Sequence, residues 1–472
     1  MFRLFALSSF LLCLWVVDAT GQSSKPTVKV SILTTSEVRI HISALPPAAR
    51  WSFRNSFAGA LGLAERISEF QAKHFDERVQ IKTIAPGEYR SEVLADSVTY
   101  LVRIPPSRAT DLAHVSWLTG DTGLLMLADL LPESLSAAHG VVLEFDLPAG
   151  WAVHSQVGPD DGKRYSVDQV DAEVFFVGRG LRVASKIVRG MNLQVVIDTK
   201  LKLSDTDVLR AAARVMEEYS NLTRYRLRQN PTVFVGSFPV SDSGSRWKGE
   251  TRGSSVMLLL NQDALTRNWR AQLEVIFTHE IFHWWVPNSL LLTGNYDWFF
   301  EGFTLYVGLQ AALRLKLIGF EEYLATLSRV YDSYLSYPDE QTLIEASEKR
   351  WTSSNPIVYD KGMLAAFVYD LTMRSATKGK TGLGDQYRAL FSQLAGEPAN
   401  ANDVIIRLLT SSPETAGFSK SYIESRNRIE LEKILTPFGL AVETAGGNSH
   451  INVRKQLTDD QKKLLRSLGY RK

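Results

Sequence analysis

The segment Leu273 to Trp285 constrains this chain more than any other. Leu273, Ile276, Phe277, Ile281, Phe282 and Trp284 give it the pattern of a buried apolar helix, yet it carries His279, Glu280 and His283. The pattern predicts a helix over 270–285 that Pro287 stops. A helix stacks residues i and i+4 on one face, so the two imidazoles aim at one point. Tetrahedral zinc takes imidazole nitrogen at about 2.0–2.1 Å, which suits such a pair. Glu280 follows the first histidine and sits beside the metal without ligating it. There it can take a proton from water. The plainer alternative is two ordinary histidines on a core helix. With eight histidines in 472 residues, a chance pair at this spacing with Glu after the first is rare.

Composition narrows what the rest of the chain can be. Hydrophobic residues at 45% and charged residues at 22% are ordinary globular values, so wholesale disorder is excluded. The length suggests about three domains. Fifty-three Lys and Arg against 51 Asp and Glu leave a net charge of +2. That is no basic footprint, and no nucleic-acid partner is expected. The single cysteine, Cys13, lies in the apolar run Leu4 to Val17 that follows Arg3. This run has the length of a secretory leader and is short for a bilayer span. We expect a signal peptide over 1–21, an exported protein in a periplasmic or extracellular place, and no stable membrane insertion. The mature chain then has no cysteine, so disulfides and thiolate zinc sites are excluded. Any metal must be held by His and carboxylates.

Hydrophobic periodicity divides the chain. Val28–Ile32, Val38–Ile42, Val98–Val102, Val141–Leu143, Val174–Val177 and Leu193–Ile197 are short runs, several alternating with period two. They predict a β-rich, sandwich-like domain over 22–199, with one helical insert near Leu61 to Phe75. After Ser204 the period lengthens. Helices are expected over 205–220, 298–318, 320–337 and 356–375, with shorter ones over 403–409 and 429–435. Val233–Val235 and Val256–Leu260 read as strands between them. The expected fold is α+β and multidomain: the N-terminal β-sandwich-like domain, then a mixed and later mainly helical domain over 200–440. Residues 441–472 read as a C-terminal tail, whose basic stretch Leu457 to Lys472 is expected as a solvated helix.

Two further residues join the motif. Glu301 is a charge among Trp298, Phe299, Phe300 and Phe303. A buried charge needs a partner, and a zinc ion is one. Two His and one Glu leave a fourth position for water, the arrangement of catalytic rather than structural zinc. Pro356 can open a helix, which puts Tyr359 in its first turn. A phenol there can donate to the oxyanion of a tetrahedral intermediate. Taken alone, Tyr359 is better explained by packing.

These residues resemble the glycyl aminopeptidase family of gluzincin zinc metallopeptidases, which is related to the alanyl aminopeptidases. His279 to Trp285 is similar to its His-Glu-x-x-His-x-Trp signature, and Trp298 to Thr304 to its Trp-x-x-Glu-Gly-x-Thr segment. Tyr359-Asp360-Lys361-Gly362 and Asp370-Leu371-Thr372-Met373-Arg374 fit its later segments. The resemblance covers about 249–440 and implies a thermolysin-like catalytic domain holding one zinc ion. It implies His279, His283 and Glu301 as ligands, Glu280 as base and Tyr359 at the oxyanion. Of the Leu-Glu-His part of the family's Gly-Gly-Leu-Glu-His segment only Glu250 is kept here, which the resemblance assigns to the substrate's free α-amino group. The loop between Asn288 and Asp297 is shorter than in the family, and 441–472 is too short for the family's PDZ-like domain.

The expected activity is hydrolysis of peptides through zinc-activated water, as an aminopeptidase if Glu250 holds the α-amine. If Glu250 is only a loop charge, a metalloendopeptidase of the same fold is expected. A peptide-binding protein without turnover is the alternative of another class. The substrate is expected to pair with the strand Val256–Leu260 as an added edge strand. His41, His74, His114, His139, His154 and His450 lack partners at ligand spacing and read as ordinary.

Overall fold

The alternating runs of the first half do pair as strands. In the computed structural model, which describes residues 25–107, 112–136, 140–240, 246–261, 269–338, 341–354, 356–394 and 398–471, they build a seven-stranded sheet. Its spatial order is Arg164–Val167, Val141–Asp146, Thr27–Ile32, Glu37–Ser43, Ser97–Arg103, Ile67–His74, Glu77–Val79. Only Thr27–Ile32 with Val141–Asp146 is parallel. Register puts Val28 opposite Ile42 and Val30 opposite Ile40, so one face is continuously apolar. That face packs on a three-stranded sheet, through Trp51 and Tyr89, and on a four-stranded sheet, through Leu125, Phe175 and Val177. The expected β-sandwich-like domain is therefore present. The expected leader, with Cys13, and His139 lie outside the described residues.

One expected helix is not there. Ala64–Arg66 is a single 3-10 turn, and Ile67–His74 is a strand paired with Ser97–Arg103. The hydrogen-bonding edge of a neighbouring strand overrides a helix-compatible local pattern. A register shift between Thr99 and Leu101 absorbs the irregularity.

The second half is built on a five-stranded sheet. Its order is Arg182–Val188, Met191–Ile197, Thr232–Ser237, Ser255–Leu260, Trp247–Arg252. Both faces are covered. Val195, Val233, Val235, Val256 and Leu258 face the helices, while Val196, Phe234, Met257 and Leu259 face the four-stranded N-terminal sheet. Successive side chains point to opposite faces, so one strand set serves both cores. This overturns the expected place of the substrate strand. Ser255–Leu260 is interior and fully buried, and the free edge belongs to Trp247–Arg252.

Helix Asp205–Thr223 starts where Ser204 accepts a hydrogen bond from the Asp207 amide, with Asp205 and Asp207 in its first turn. The terminal stretch is not a solvated tail. Leu440–Ala445 and Asn448–Val453 form a hairpin whose Ile451 amide donates to Ser328 Oγ at 2.9 Å. Helix Asp459–Leu468 buries Leu464, Leu465 and Leu468 in the same core as the motif helix. Its charge-rich composition hid an amphipathic helix with one narrow apolar stripe. Under this helix lies a cavity of about 800 Å³ that contains none of the motif residues. No helix of the described residues is long and apolar enough to cross a membrane.

Candidate active site

The motif helix runs as α-helix from Trp269 to Glu280 and tightens to a 3-10 turn over Ile281–Trp284. His279 and His283 still converge, with Nε2 to Nε2 at 3.3 Å. The chain leaves the helix at Pro287, and the Val286 carbonyl accepts from His283 Nδ1 at 2.9 Å. That bond fixes the ring so that Nε2 faces the site. Glu301 enters from a π-helical turn, Trp298–Phe303, and Tyr359 from a second one, Ile357–Lys361. Such turns recur at functional sites because they re-aim single side chains. The two pack glycine to glycine: a Cβ on Gly302 would lie 2.6 Å from Gly362 Cα. The glycines of the two sequence segments are thus what lets Glu301 and Tyr359 share one site. Buried Lys361 anchors the second turn through the carbonyls of Gln341 and Ser425 at 3.0 and 3.1 Å.

The triad has the dimensions of a zinc site. Glu301 Oε2 lies 3.5 Å from His279 Nε2 and 3.7 Å from His283 Nε2. Ligand atoms about 2.0–2.1 Å from a tetrahedral ion are about 3.3–3.4 Å apart, close to this triangle. Among the described residues these three form the group of His and carboxylates that could hold a metal ion. Their protonation suits ligation. Burial pushes His283 down to about 4, so it is neutral. Burial opposes ionisation of Glu301, but His283, His279 and Arg350 hold it at about 2. Burial also lowers His279, yet Glu301 and Glu280 outweigh it and raise its pKa.

Glu280 stands beside the triad. Burial pushes its carboxyl up to about 7 against the pull of His279. A divalent cation at the triad would draw it back toward the ionised form. Thr251 Oγ1 donates to Glu280 Oε2 at 3.1 Å and reaches its backbone carbonyl at 3.0 Å. A Cβ on Gly249 would lie 2.5 Å from Glu280 Oε1. The edge strand therefore touches Glu280 directly, and any side chain in place of Gly249 would push the carboxylate aside.

Arg350 links the parts. One guanidinium nitrogen, Nη2, lies 2.9 Å from Glu301 Oε1 and donates to the Tyr359 hydroxyl, while Nη1 reaches Asp297 Oδ2 at 3.2 Å. Burial and the Glu301 charge keep the Tyr359 phenol protonated far above its usual range. With its oxygen accepting from Arg350, that hydroxyl keeps its own hydrogen to donate. The exposed ring of Trp351 lies 4.2 Å from the Arg350 guanidinium.

Glu250 is at the site but not alone. Its Oε2 lies 2.6 Å from His114 Nδ1 and its Oε1 3.5 Å from Arg252 Nε. Burial opposes ionisation of Glu250, and His114 and Arg252 hold it below the usual carboxylate range nonetheless. His114 is thus not the ordinary histidine its isolation in the sequence implies. Arg350, Asp297, Thr251 and Arg252 were also missed. Arg350 lies in the charged run Glu348-Lys349-Arg350, which reads as a solvated surface, and its partners are remote in sequence. Asp370 and Arg374 belong to a separate buried network. Asp370 Oδ2 accepts from Arg374 Nε at 2.9 Å and from the Tyr306 hydroxyl at 2.8 Å.

No protein-family model matches this chain, and no curated protein matches it. Its fold does match solved structures. An aminopeptidase N family protein from Idiomarina loihiensis superposes with a TM-score of 0.76 at 18% identity, covering 89% of this chain and 79% of that one. An M1 zinc metallopeptidase from Deinococcus radiodurans gives 0.57 at 14% identity, covering 86% and 94%. A variant of that enzyme bound to a Tyr-Ser-Ala substrate gives 0.55 at 13% identity, covering 86% and 94%. This chain therefore has the fold of the M1 zinc metallopeptidases, a strand-rich N-terminal part followed by a mixed and then helical part.

Proposed function

We propose that the chain is a zinc-dependent peptidase. The observation that carries this reading is the triangle of His279, His283 and Glu301 with Glu280 against it. The fold and the peptide-bound neighbour support it. His279 and His283 Nε2 and Glu301 Oε2 would hold one zinc ion. When bound, that ion supplies Lewis-acid polarisation of a carbonyl and acidifies water. The chain's own residues do the rest. The free edge of Trp247–Arg252 offers backbone groups to an extended peptide, with Gly249 giving close approach to the base. Glu280 takes the proton of the attacking water and delivers it to the leaving amine. Tyr359 donates its hydroxyl hydrogen to the oxyanion, and Arg350 holds both Tyr359 and Glu301 in place.

Two forms of this activity share that mechanism. In the aminopeptidase form, implied by the family resemblance, Glu250 receives the substrate's free α-amine. In the endopeptidase form it does not. The pairing of Glu250 with His114 and Arg252 is the observation that favours the second. The domain division proposed is 22–199 and 200–440, with 441–472 docked on the latter. Export is proposed from the apolar run Leu4 to Val17, and sequencing of the secreted protein should find its N-terminus at Thr20 or Gln22.

The test of the mechanism is Glu280→Gln. Peptide hydrolysis should fall by about 10²–10⁴-fold, the usual range for a general acid–base group, with zinc retained. Unchanged hydrolysis would remove Glu280 from its role.

A further inference from the structure

Among the described residues, each carboxylate around the motif apart from Glu280 already has a basic side chain as partner. Glu250 has His114 and Arg252, while Glu301 turns Oε1 to Arg350 and Oε2 to the two imidazoles. Asp297 shares Arg350. Glu280 is engaged by Thr251 and reserved for proton transfer. The partners of Glu250 are built in rather than adventitious. Arg252 is buried, donates from Nη2 to the His114 carbonyl at 2.8 Å and lies 4.2 Å from the Phe57 ring. His114 sits against the Trp351 ring, with centroids 5.8 Å apart.

An ammonium brought to Glu250 would meet a fixed guanidinium on the same strand. Like charges juxtaposed in a partly desolvated site are unfavourable. It would also have to displace an imidazole already at 2.6 Å. A peptide backbone or an acyl group carries no such cost. It needs only hydrogen bonds, which the edge strand supplies.

Resting on the peptidase reading above, we infer that this cleft accepts uncharged chain on the N-terminal side of the scissile bond. The substrate class is interior or N-acylated peptide, cut internally. His114 is the positioning residue that keeps Glu250 closed to an amine. Glu250 then acts as an anchor that ties the N-terminal β region to the edge strand.

The experiment uses the zinc-loaded full chain and one peptide in two forms, free and N-acetylated, with products read by mass spectrometry. The expected result is internal cleavage of both forms, with kcat/KM differing by less than about tenfold. Loss of more than about tenfold on acetylation, with residues released stepwise from the free form, overturns the inference and leaves the peptidase reading intact. Hydrolysis of neither form overturns the peptidase reading, and this inference with it. His114→Ala gives a second readout. It should shift the ratio of the two forms toward the free amine by about tenfold, whereas a merely structural role would lower both alike. An unchanged ratio overturns the part given to His114, and His114→Gln should restore the original ratio.

Discussion

Glu301 and Glu250 belong to one buried cluster of charges, and their charges are balanced in different ways. Around Glu301 the two imidazole nitrogens stand back at 3.5 and 3.7 Å, which leaves room for an ion among the three. Around Glu250 one imidazole nitrogen closes to 2.6 Å, and nothing fits between. The residue types are alike: a carboxylate, histidine and arginine in each. The difference lies in how the histidines are held. His279 and His283 are spaced by one helix, whose pitch fixes their separation, and Val286 turns the second ring. His114 comes from a different part of the chain, so no helical pitch sets its distance from Glu250, and the two stand in direct contact. Geometry, not composition, separates a metal site from a closed ionic link.

That contrast can be broken most strongly at the ligands. His283→Ala should weaken zinc binding by more than about a hundredfold, since even loss of a group supporting a ligand costs about 10–100-fold. Glu250→Gln should leave zinc content unchanged, as measured by metal analysis after desalting. Equal loss in both variants would mean that the two acids act as one site. Next in size is Tyr359→Phe. It should lower kcat by about 10²–10³, the cost of removing one oxyanion donor, with KM and zinc content little altered. A KM effect alone would make Tyr359 a packing residue. Gly302→Ala tests how the two π-helical turns are brought together. The new methyl would meet Gly362 Cα at 2.6 Å, so denaturant titration should show a loss of about 1–3 kcal/mol.

The smallest effect sharpens the electrostatics. In the metal-free protein the pKa of His279 is raised above its usual value, so at about pH 6 it carries a proton that zinc must displace. His283, held at about 4, and Glu301, held at about 2, have none to give there. Calorimetry in buffers of different ionisation enthalpy should show release of about two protons at about pH 6, one from His279 and one from Glu280, whose carboxyl burial holds at about 7, falling as pH rises past both. Zinc affinity should rise with pH over the same window and then level. Proton release that grows with pH would contradict the assigned charges.

How much of this was legible in the sequence follows from distance along the chain. His279, Glu280 and His283 are set by one helical repeat, and Glu301 by the next apolar segment, so spacing alone located them. The strands from Val28 to Ile197 were readable because alternation is a local signal. The order of strands in a sheet is not local. Trp247–Arg252 and Ser255–Leu260 are consecutive, and only the unbroken apolar run of the second against Lys248, Glu250 and Arg252 in the first hints at which is interior, a signal the expected substrate strand ignored. The segment 61–75 failed for the same reason, since pairing with Ser97–Arg103 decided its state. The pairings of His114 with Glu250 and of Arg350 with Asp297 join residues far apart in sequence, and a single sequence carries no mark of them. Asp459–Leu468 was misjudged because three buried leucines among many charges look like a surface helix.

The central claim is that His279, His283 and Glu301 hold a zinc ion that works with Glu280 on peptide bonds. The most direct measurement is digestion of a defined peptide mixture by the purified protein, read by mass spectrometry before chelation, after chelation, and after zinc is returned. The account predicts cleavage that disappears with the metal and comes back with it. Cleavage that persists unchanged in the chelated protein would contradict it.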